Sequence, residues 1–259
     1  MKTKLLTCVS TKERPGLKKL EHSLVKFNYD YQIMVEPTID WMYGGWHNFY
    51  RWAKEQVKDP NGYTHFIYTD GFDTLALAPM DEIIKKYHVL CPNLDVFLYA
   101  AEKNCFPTCG EKGYATPELY YEKYKYEPHQ KWRFLNGGQF MTPVKKFLEM
   151  YEKIDLKINS QHWGHQQFLW NNEDGRIKLD VNCEIFQSTS FRDFPNQEGD
   201  DFSIIGENEV WDDQSQVQVF ANKRLFNNFT KTKPCIAHAN GSGVNLEAEF
   251  QFVWDILGV

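Results

Sequence analysis

The first hundred residues alternate between short apolar runs and segments with helical apolar spacing, and this alternation constrains the fold more than any other feature. Residues 5–10 form an apolar run of strand-forming residues. In the next segment the apolar residues recur at the spacing of one helix face, at Leu17, Leu20, Leu24 and Phe27. Strands that alternate with helices form βαβ units, whose strands lie parallel in one sheet. The pattern therefore predicts an α/β fold with a mainly parallel sheet.

The alternation continues through the rest of this region. Strands are predicted at residues 31–35, 65–69 and 94–100, with helices at residues 46–57 and from residue 79 onward. The chain of 259 residues has no low-complexity linker and no internal repeat, so the sequence predicts a single domain with a substantial core.

The second half of the chain has a less regular pattern. Residues 105–130 are rich in Pro, Gly and Tyr, which predicts a long functional loop. A strand is predicted at residues 134–141, a helix beginning at Thr142-Pro143, and a closing helix at residues 246–257. Further short elements are predicted at residues 163–170, 177–181, 184–187, 217–220 and 235–237.

Composition and charge exclude several classes of protein. Hydrophobic residues at 42% and charged residues at 25% match an ordinary globular domain, and the net charge of −6 disfavours unselective binding to nucleic acid. No apolar run approaches the ~20 residues of a membrane-spanning helix, and no secretory signal is recognisable. The six cysteines are scattered, as is typical of reduced thiols. We therefore expect a cytoplasmic protein without a membrane span; the sequence leaves its oligomeric state open.

Two aspartates follow the strand predicted at residues 65–69. Asp70 and Asp73 enclose Gly71 and Phe72. In open α/β sheets ligands bind outside the carboxyl ends of the strands, and oxygen ligands are those that Mg²⁺ and Mn²⁺ prefer. The aspartates are therefore candidate cation ligands. From these residues alone, a turn in which they cap backbone N–H groups is the alternative.

A late segment, residues 234–243, places a histidine in a loop of small residues. The short apolar strand ends at His238, and Asn240, Gly241 and Ser242 follow it. Such a loop brings backbone N–H groups close to phosphate, and its histidine can ligate a metal. A hydrogen-bonded structural histidine beside a turn is the alternative.

Two other segments carry polar residues or glycines in unusual places. Asn136, Gly137 and Gly138 interrupt a β pattern, which predicts a bulge or a close approach to a ligand, with a hairpin turn as the alternative. His162 and His165 have helical spacing, but a third zinc ligand is missing. The sequence also contains neither a GxxxxGK[ST] loop nor a G-x-S-x-G elbow, which disfavours P-loop NTPases and α/β hydrolases.

Seven short segments between residues 44 and 243, each unspecific alone, occur in a fixed order. They are Gly44-Gly45 leading into Arg51-Trp52-Ala53-Lys54-Glu55, Tyr68-Thr69-Asp70-Gly71-Phe72-Asp73, Ala101-Glu102-Lys103-Asn104-Cys105-Phe106-Pro107, Phe134-Leu135-Asn136-Gly137-Gly138, Gln167-Phe168-Leu169-Trp170, Glu184-Ile185-Phe186-Gln187 and His238-Ala239-Asn240-Gly241. Together they resemble the glycosyltransferase domain of the procollagen lysyl hydroxylases and, more distantly, the collagen galactosyltransferases.

The resemblance implies a GT-A fold, with a mixed, mostly parallel central sheet flanked by helices. In this interpretation residues 1–259 form one domain, in which residues 1–103 are the nucleotide-sugar-binding half and residues 104–259 the acceptor half. The resemblance also implies that Mn²⁺ (or Mg²⁺) is held by three ligands and itself holds the UDP diphosphate. Those ligands are Asp70, Asp73 and His238.

The activity implied by the resemblance is transfer of a hexose, glucose or galactose, from a UDP-sugar to a hydroxyl. Hydroxylysine of a collagen-like protein is the acceptor it implies; a hydroxylated nucleobase in DNA, a glycan, or UDP-sugar binding without turnover are the alternatives. The residues it assigns to donor binding are Tyr43, Gly44, Gly45, Asp70, Asn136, Gly137, Gly138, Asn240, Gly241 and Ser242.

The expected catalytic residues are His165, Gln166 and Glu102. The family carries a run of aspartates where this chain has residues 162–166. His165 is the candidate to replace them, because an unperturbed imidazole titrates near neutrality and can accept a proton.

Overall fold

The computed structural model describes residues 1–37, 45–57, 62–105, 121–122, 129–153, 177–189, 202–212 and 217–240. The strands are β1 (Thr3–Val9), β2 (Tyr31–Val35), β3 (His65–Thr69), β4 (Thr74–Ala76), β5 (Phe97–Glu102), β6 (Phe134–Pro143), β7 (Ile177–Asp180), β8 (Phe186–Ser188), β9 (Phe202–Asp212), β10 (Val217–Asn227) and β11 (Ile236–His238). The helices are α1 (Pro15–Lys26), α2 (Gly45–Val57), α3 (Met80–Leu90) and α4 (Val144–Lys153).

A six-stranded sheet forms the centre of the domain, with the strand order β2-β1-β3-β6-β5-β7. β1 pairs in parallel with β2 and β3, and β5 pairs in parallel with β7. Only β6 runs the other way, antiparallel to both β3 and β5. The mixed, mostly parallel sheet predicted from the sequence is therefore confirmed.

Side chains on the two faces of this sheet pack into two apolar layers. On one face, Tyr68 of β3 packs against Phe49 of α2, with ring centroids 4.6 Å apart, and Phe66 contacts Phe147 of α4 at 4.8 Å. The other face carries fully buried residues of β1, β3 and β6 that pack against α1, α3 and a second sheet; these are Leu5, Ile67 and Met141. Because β1 and β3 are covered on both sides, all their side chains are buried.

The second sheet is small, with the order β4-β11-β8. β11 pairs antiparallel with β4, placing His238 opposite Thr74, and in parallel with β8, placing His238 opposite Ser188. A long antiparallel hairpin of β9 and β10 forms a third unit. The pattern along the chain did not predict β4 or β9, and the helices predicted at residues 163–170 and 246–257 lie outside the described residues.

Within the part of the chain that the structure describes, no helix combines the length and apolar character needed to cross a membrane.

Among the described residues four cysteines are free, namely Cys8, Cys91, Cys183 and Cys235, and Cys105 is disulfide-bonded.

An ion pair with a buried arginine fastens the hairpin to α3 and to the start of β11. Arg224 of β10 donates two hydrogen bonds of 3.0 Å to the carboxylate of Glu82, and its side chain is 8% exposed. Arg224 also donates to the carbonyl of Pro234, just before β11. Although burial opposes it, the bonds and charges of Arg224 and Lys86 lower the pKa of Glu82 to about 2.

Replacing Arg224 should destabilise the fold strongly. Arg224→Met removes both bonds of the pair, and we expect a loss of about 3 kcal/mol in the free energy of unfolding at pH 7, measured by urea denaturation. The ionised carboxylate of Glu82 stabilises the fold at pH values above the pKa that Glu82 has in the unfolded chain. This stabilisation is lost as the pH falls towards 2, the pKa of Glu82 in the folded protein. The difference between variant and wild type should therefore shrink at pH 3.

The control is Lys85→Met on the same helix, because Lys85 and Asp81 form an ion pair whose side chains are 77% and 68% exposed. That change should cost less than about 0.5 kcal/mol. Similar losses for the two variants would show that the Arg224 pair does not hold the hairpin in place.

Candidate active site

Asp70 lies at the carboxyl end of β3, where two hydrogen bonds fix its orientation. Its backbone N–H donates to the carbonyl of Gly138 at 2.8 Å. The hydroxyl of Tyr68 donates to Asp70 Oδ1 at 2.6 Å. One carboxylate oxygen is thus held by Tyr68, and the other, Oδ2, faces His238.

The turn after Asp70 packs tightly against β1. A Cβ on Gly71 would lie 2.3 Å from Val9 Cγ1, so only glycine fits there. At the end of the turn, the carbonyl of Asp73 accepts a hydrogen bond of 2.8 Å from the N–H of Ala239, directly after β11. The turn that carries both aspartates is therefore tied to the strand that carries His238.

His238 brings its ring between the two carboxylates. Its Nε2 lies 3.4 Å from Asp70 Oδ2 and 3.5 Å from Asp73 Oδ1, and one ligand atom from each residue lies within 4.8 Å of the others. The imidazole is 4% exposed, whereas the carboxylates of Asp70 and Asp73 are 32% and 24% exposed. The two neighbouring aspartates and the distant His238 thus converge on one point that is open to solvent on the side of the aspartates.

These residues fit a divalent cation. Two carboxylate oxygens and an imidazole nitrogen are ligands that Mn²⁺ and Mg²⁺ accept, the imidazole suiting Mn²⁺ better. The space between them depends on Gly138, whose Cβ would lie 2.3 Å from His238 Cε1 and 2.6 Å from Asp70 Oδ2. The glycine therefore leaves room for the ligands to approach one another.

The electrostatics of the cluster favour positive charge on His238. Burial alone would lower the pKa of this imidazole, but the negative charges and hydrogen bonds of Asp73 and Asp70 outweigh burial and raise the pKa to about 10. In the absence of a cation, the proton on His238 therefore balances part of the carboxylate charge at neutral pH.

Glu102, at the end of β5, lies beside this cluster. Its side chain accepts a hydrogen bond of 2.7 Å from Asn240 Nδ2, and the residue is 8% exposed. Burial raises the pKa of Glu102 to about 8, although His238, Asn136 and Asn240 all act to lower it. Asn240 Oδ1 is buried and has no hydrogen-bond partner among the described residues.

The glycines of β6 form a bulge. β6 pairs with β5 through Phe140 and Tyr99, and the pairing resumes at Asn136 and Ala100, so that residues 137–139 have no counterpart in β5. The strand continues through this point, which excludes the hairpin turn and confirms the bulge.

The structure therefore brings together Asp70, Asp73, His238, Glu102, Asn136, Gly138 and Asn240 among the residues predicted from sequence. Gly45 begins α2. Tyr43, Gly44, His165, Gln166, Gly241 and Ser242 lie outside the described residues. The sequence interpretation missed Tyr68, which holds Asp70; the available signal was a hydroxyl two residues earlier on the same strand face.

Comparison with known proteins identifies the family of this domain. A family model described as the PLOD GT domain matches residues 1–248. The chain belongs to this family. The resemblance to the glycosyltransferase domain of the procollagen lysyl hydroxylases is therefore confirmed.

A sequence relative and a structural neighbour of this PLOD GT domain are both viral. "Uncharacterized protein R699" of Acanthamoeba polyphaga mimivirus is 26% identical over 195 residues, which cover 75% of this chain and 34% of that protein. The chain thus spans about a third of that relative. The crystal structure of a glycosyltransferase involved in the glycosylation of the major capsid of PBCV-1 matches with a TM-score of 0.53 and 8% identity, covering 97% of this chain and 98% of that one. This likeness supports the GT-A fold.

A methyl group at position 138 should disrupt cation binding by the PLOD GT domain. Gly138→Ala places Cβ against His238 and Asp70, which must then move apart. We expect Mn²⁺ affinity, measured by an EPR titration, to fall on the order of tenfold or more. Gly62→Ala is the control, because Gly62 has a φ of +67° and no atom lies within 4 Å of an added Cβ. This change should lower the stability of the fold and leave Mn²⁺ affinity unchanged. Unchanged affinity in Gly138→Ala would argue against a cation between these side chains.

Cation binding should also depend on pH. His238 must lose its proton to ligate, and its pKa in the metal-free protein is raised to about 10. Below that value, each cation bound releases one proton, so apparent Mn²⁺ affinity should rise about tenfold per pH unit between roughly pH 6 and 8.5. His65→Gln, which changes a buried histidine outside the cluster, should keep this slope. A flat profile in wild type would contradict ligation by His238.

Proposed function

We propose that this domain is a metal-dependent glycosyltransferase that moves a hexose, glucose or galactose, from a UDP-sugar to a hydroxyl acceptor. The observation that carries the proposal is the convergence of Asp70, Asp73 and His238 in a chain of a glycosyltransferase family. The position of Asp70 at the carboxyl end of a central parallel strand supports it, because ligands of open α/β sheets bind there.

In this proposal Asp70, Asp73 and His238 hold Mn²⁺ (or Mg²⁺). A divalent cation held there would bind the diphosphate of the donor and neutralise the charge that develops as UDP departs. Tyr68 keeps Asp70 oriented through its hydrogen bond, and Gly138 keeps the space between Asp70 and His238 open.

The remaining donor contacts follow from the family resemblance. Asn240, Gly241 and Ser242 would meet phosphate oxygens through backbone N–H and hydroxyl groups. The segment with Tyr43, Gly44 and Gly45 would lie against the nucleoside. Asn136, Gly137 and Gly138 would line the pocket of the donor sugar.

For the acceptor side we propose His165 as the group that accepts the proton of the acceptor hydroxyl, with Gln166 next to it. Glu102 would lie along the sugar pocket. The family makes hydroxylysine in a collagen-like protein the first acceptor to test. A hydroxylated nucleobase and a glycan are the other acceptors to include.

The experiment is a measurement of UDP release and sugar transfer with UDP-glucose and UDP-galactose in the presence of Mn²⁺. Wild type should release UDP only with the cation, and transfer to a hydroxylysine peptide should appear by mass spectrometry. Asp73→Ala should abolish cation-dependent UDP binding, because one of the three ligands is removed. The control is Asp81→Ala, which changes an exposed aspartate at the start of α3. This variant should bind UDP with the affinity of wild type.

The outcomes separate the alternatives. Tight Mn²⁺-dependent UDP binding without turnover on any acceptor would favour a sugar-nucleotide-binding protein. Retained UDP affinity and an unchanged Mn²⁺ response in Asp73→Ala would show that the ligand assignment is wrong.

A further inference from the structure

Behind the ring of His238 lies a set of hydrogen bonds that the proposed reaction does not use. Nε2 of His238 faces the two aspartates, and Nδ1 lies 3.1 Å from Asn136 Oδ1 on the other side of the ring. An imidazole that ligates through Nε2 must carry its remaining proton on Nδ1. The partner of Nδ1 therefore decides whether the ring is in the ligating tautomer.

The orientation of the Asn136 amide is fixed independently of His238. The backbone N–H of Gly138 donates a hydrogen bond of 3.0 Å to Asn136 Oδ1. Because a backbone N–H can only donate, the atom it meets must be the amide oxygen and not the NH₂ group. The same oxygen lies 3.1 Å from His238 Nδ1, where it can only accept, so Nδ1 must carry a proton.

Glu102 lies beside Asn136 across the pairing of β5 and β6, because Asn136 is opposite Ala100, two residues before Glu102 on the same strand face. Glu102 Oε2 accepts a hydrogen bond of 2.7 Å from Asn240 Nδ2, and the Asn136 side chain acts to lower the pKa of Glu102. Asn136 is 5% exposed and Glu102 is 8% exposed, so water competes little for these bonds. His238 and Asn240, two residues apart on the late loop, are thus joined through residues of β6 and β5.

We propose that Asn136 and Glu102 are positioning residues of the cation site. Asn136 holds the imidazole of His238 in the tautomer and orientation that present Nε2 to the cation, and Glu102 holds Asn136. The proposal rests on the proposed function only in that a divalent cation binds to Asp70, Asp73 and His238. It assigns to both residues a role that acts through His238, in addition to the places beside the sugar proposed above.

The test is the Mn²⁺ affinity of two variants at position 136, measured by EPR without nucleotide. Asn136→Ala removes the acceptor of the Nδ1 proton, and the affinity should fall roughly 10- to 100-fold. Asn136→Asp keeps an oxygen at the same place, so its affinity should stay within about threefold of wild type. A merely structural role predicts the reverse order, because a buried aspartate next to Glu102 is worse for folding than an alanine.

Two variants of Glu102 test whether this residue holds Asn136 in place. Glu102→Gln keeps an oxygen that can accept from Asn136, and it should retain the Mn²⁺ affinity of wild type within about threefold. Glu102→Ala should lower the affinity as Asn136→Ala does, roughly 10-fold or more. Loss of affinity in Glu102→Gln equal to that in Glu102→Ala would overturn the role of Glu102.

The matched control is Asn227→Ala. Asn227 is also fully buried, donates to Gln187 Oε1, and accepts from the backbone N–H groups of Phe229 and Thr230. Its replacement should lower the melting temperature and leave Mn²⁺ affinity unchanged. An equal loss of affinity in this control would show that affinity follows stability, which would overturn the proposal.

A measurement on wild type removes the dependence on variant folding. In protein labelled with ¹⁵N-histidine and loaded with Mg²⁺, the proposal requires that Nδ1 of His238 is the protonated nitrogen. A protonated Nε2 would overturn it. Wild type that binds no Mn²⁺ would overturn both this inference and the proposed function, whereas normal binding with no effect of Asn136→Ala would overturn the inference alone.

Discussion

The pairing of β4 with β11 is the contact on which the site depends. It places His238 opposite Thr74, the residue directly after Asp73, and thus joins two parts of the chain that are distant in sequence. Because side chains alternate along a strand, a shift of one residue in this register would turn His238 away from the central sheet and put Ala237 in its place. Ala237 packs in the core on the far side of the small sheet, which opposes such a shift.

The central sheet could be predicted from the sequence because its strands are long, apolar and separated by helices with clear spacing. β2 and β3 have the bounds that were predicted. β4 was not predicted, and its pairing with β11 is what makes these three residues a strand. β9 was not predicted because acidic and polar residues in its middle interrupt any apolar pattern. Its pairing with β10 makes this segment a strand.

The residue types of the candidate site could be predicted from the sequence. Local sequence could not predict that Asp70, Asp73 and His238 lie close together. Local sequence alone favoured a turn in which Asp70 and Asp73 cap backbone N–H groups, and only the order of seven segments assigned them to a cation together with His238. The hydrogen bond between Asn136 and His238 was missed for a physical reason. Its partners lie on two strands, 102 residues apart in sequence, and no spacing along the chain encodes their contact.

The charges of the cluster explain why a buried acid is tolerated so close to it. Without a cation, two carboxylates and a protonated imidazole leave one negative charge. With a divalent cation and a neutral imidazole the sum is zero, so an ionised Glu102 would add a negative charge that repels a diphosphate. Burial raises the pKa of Glu102 to about 8 and keeps it largely protonated at neutral pH. A neutral acid can still hold Asn136, so burial lets Glu102 support the ligand without opposing the anion that the site is proposed to bind.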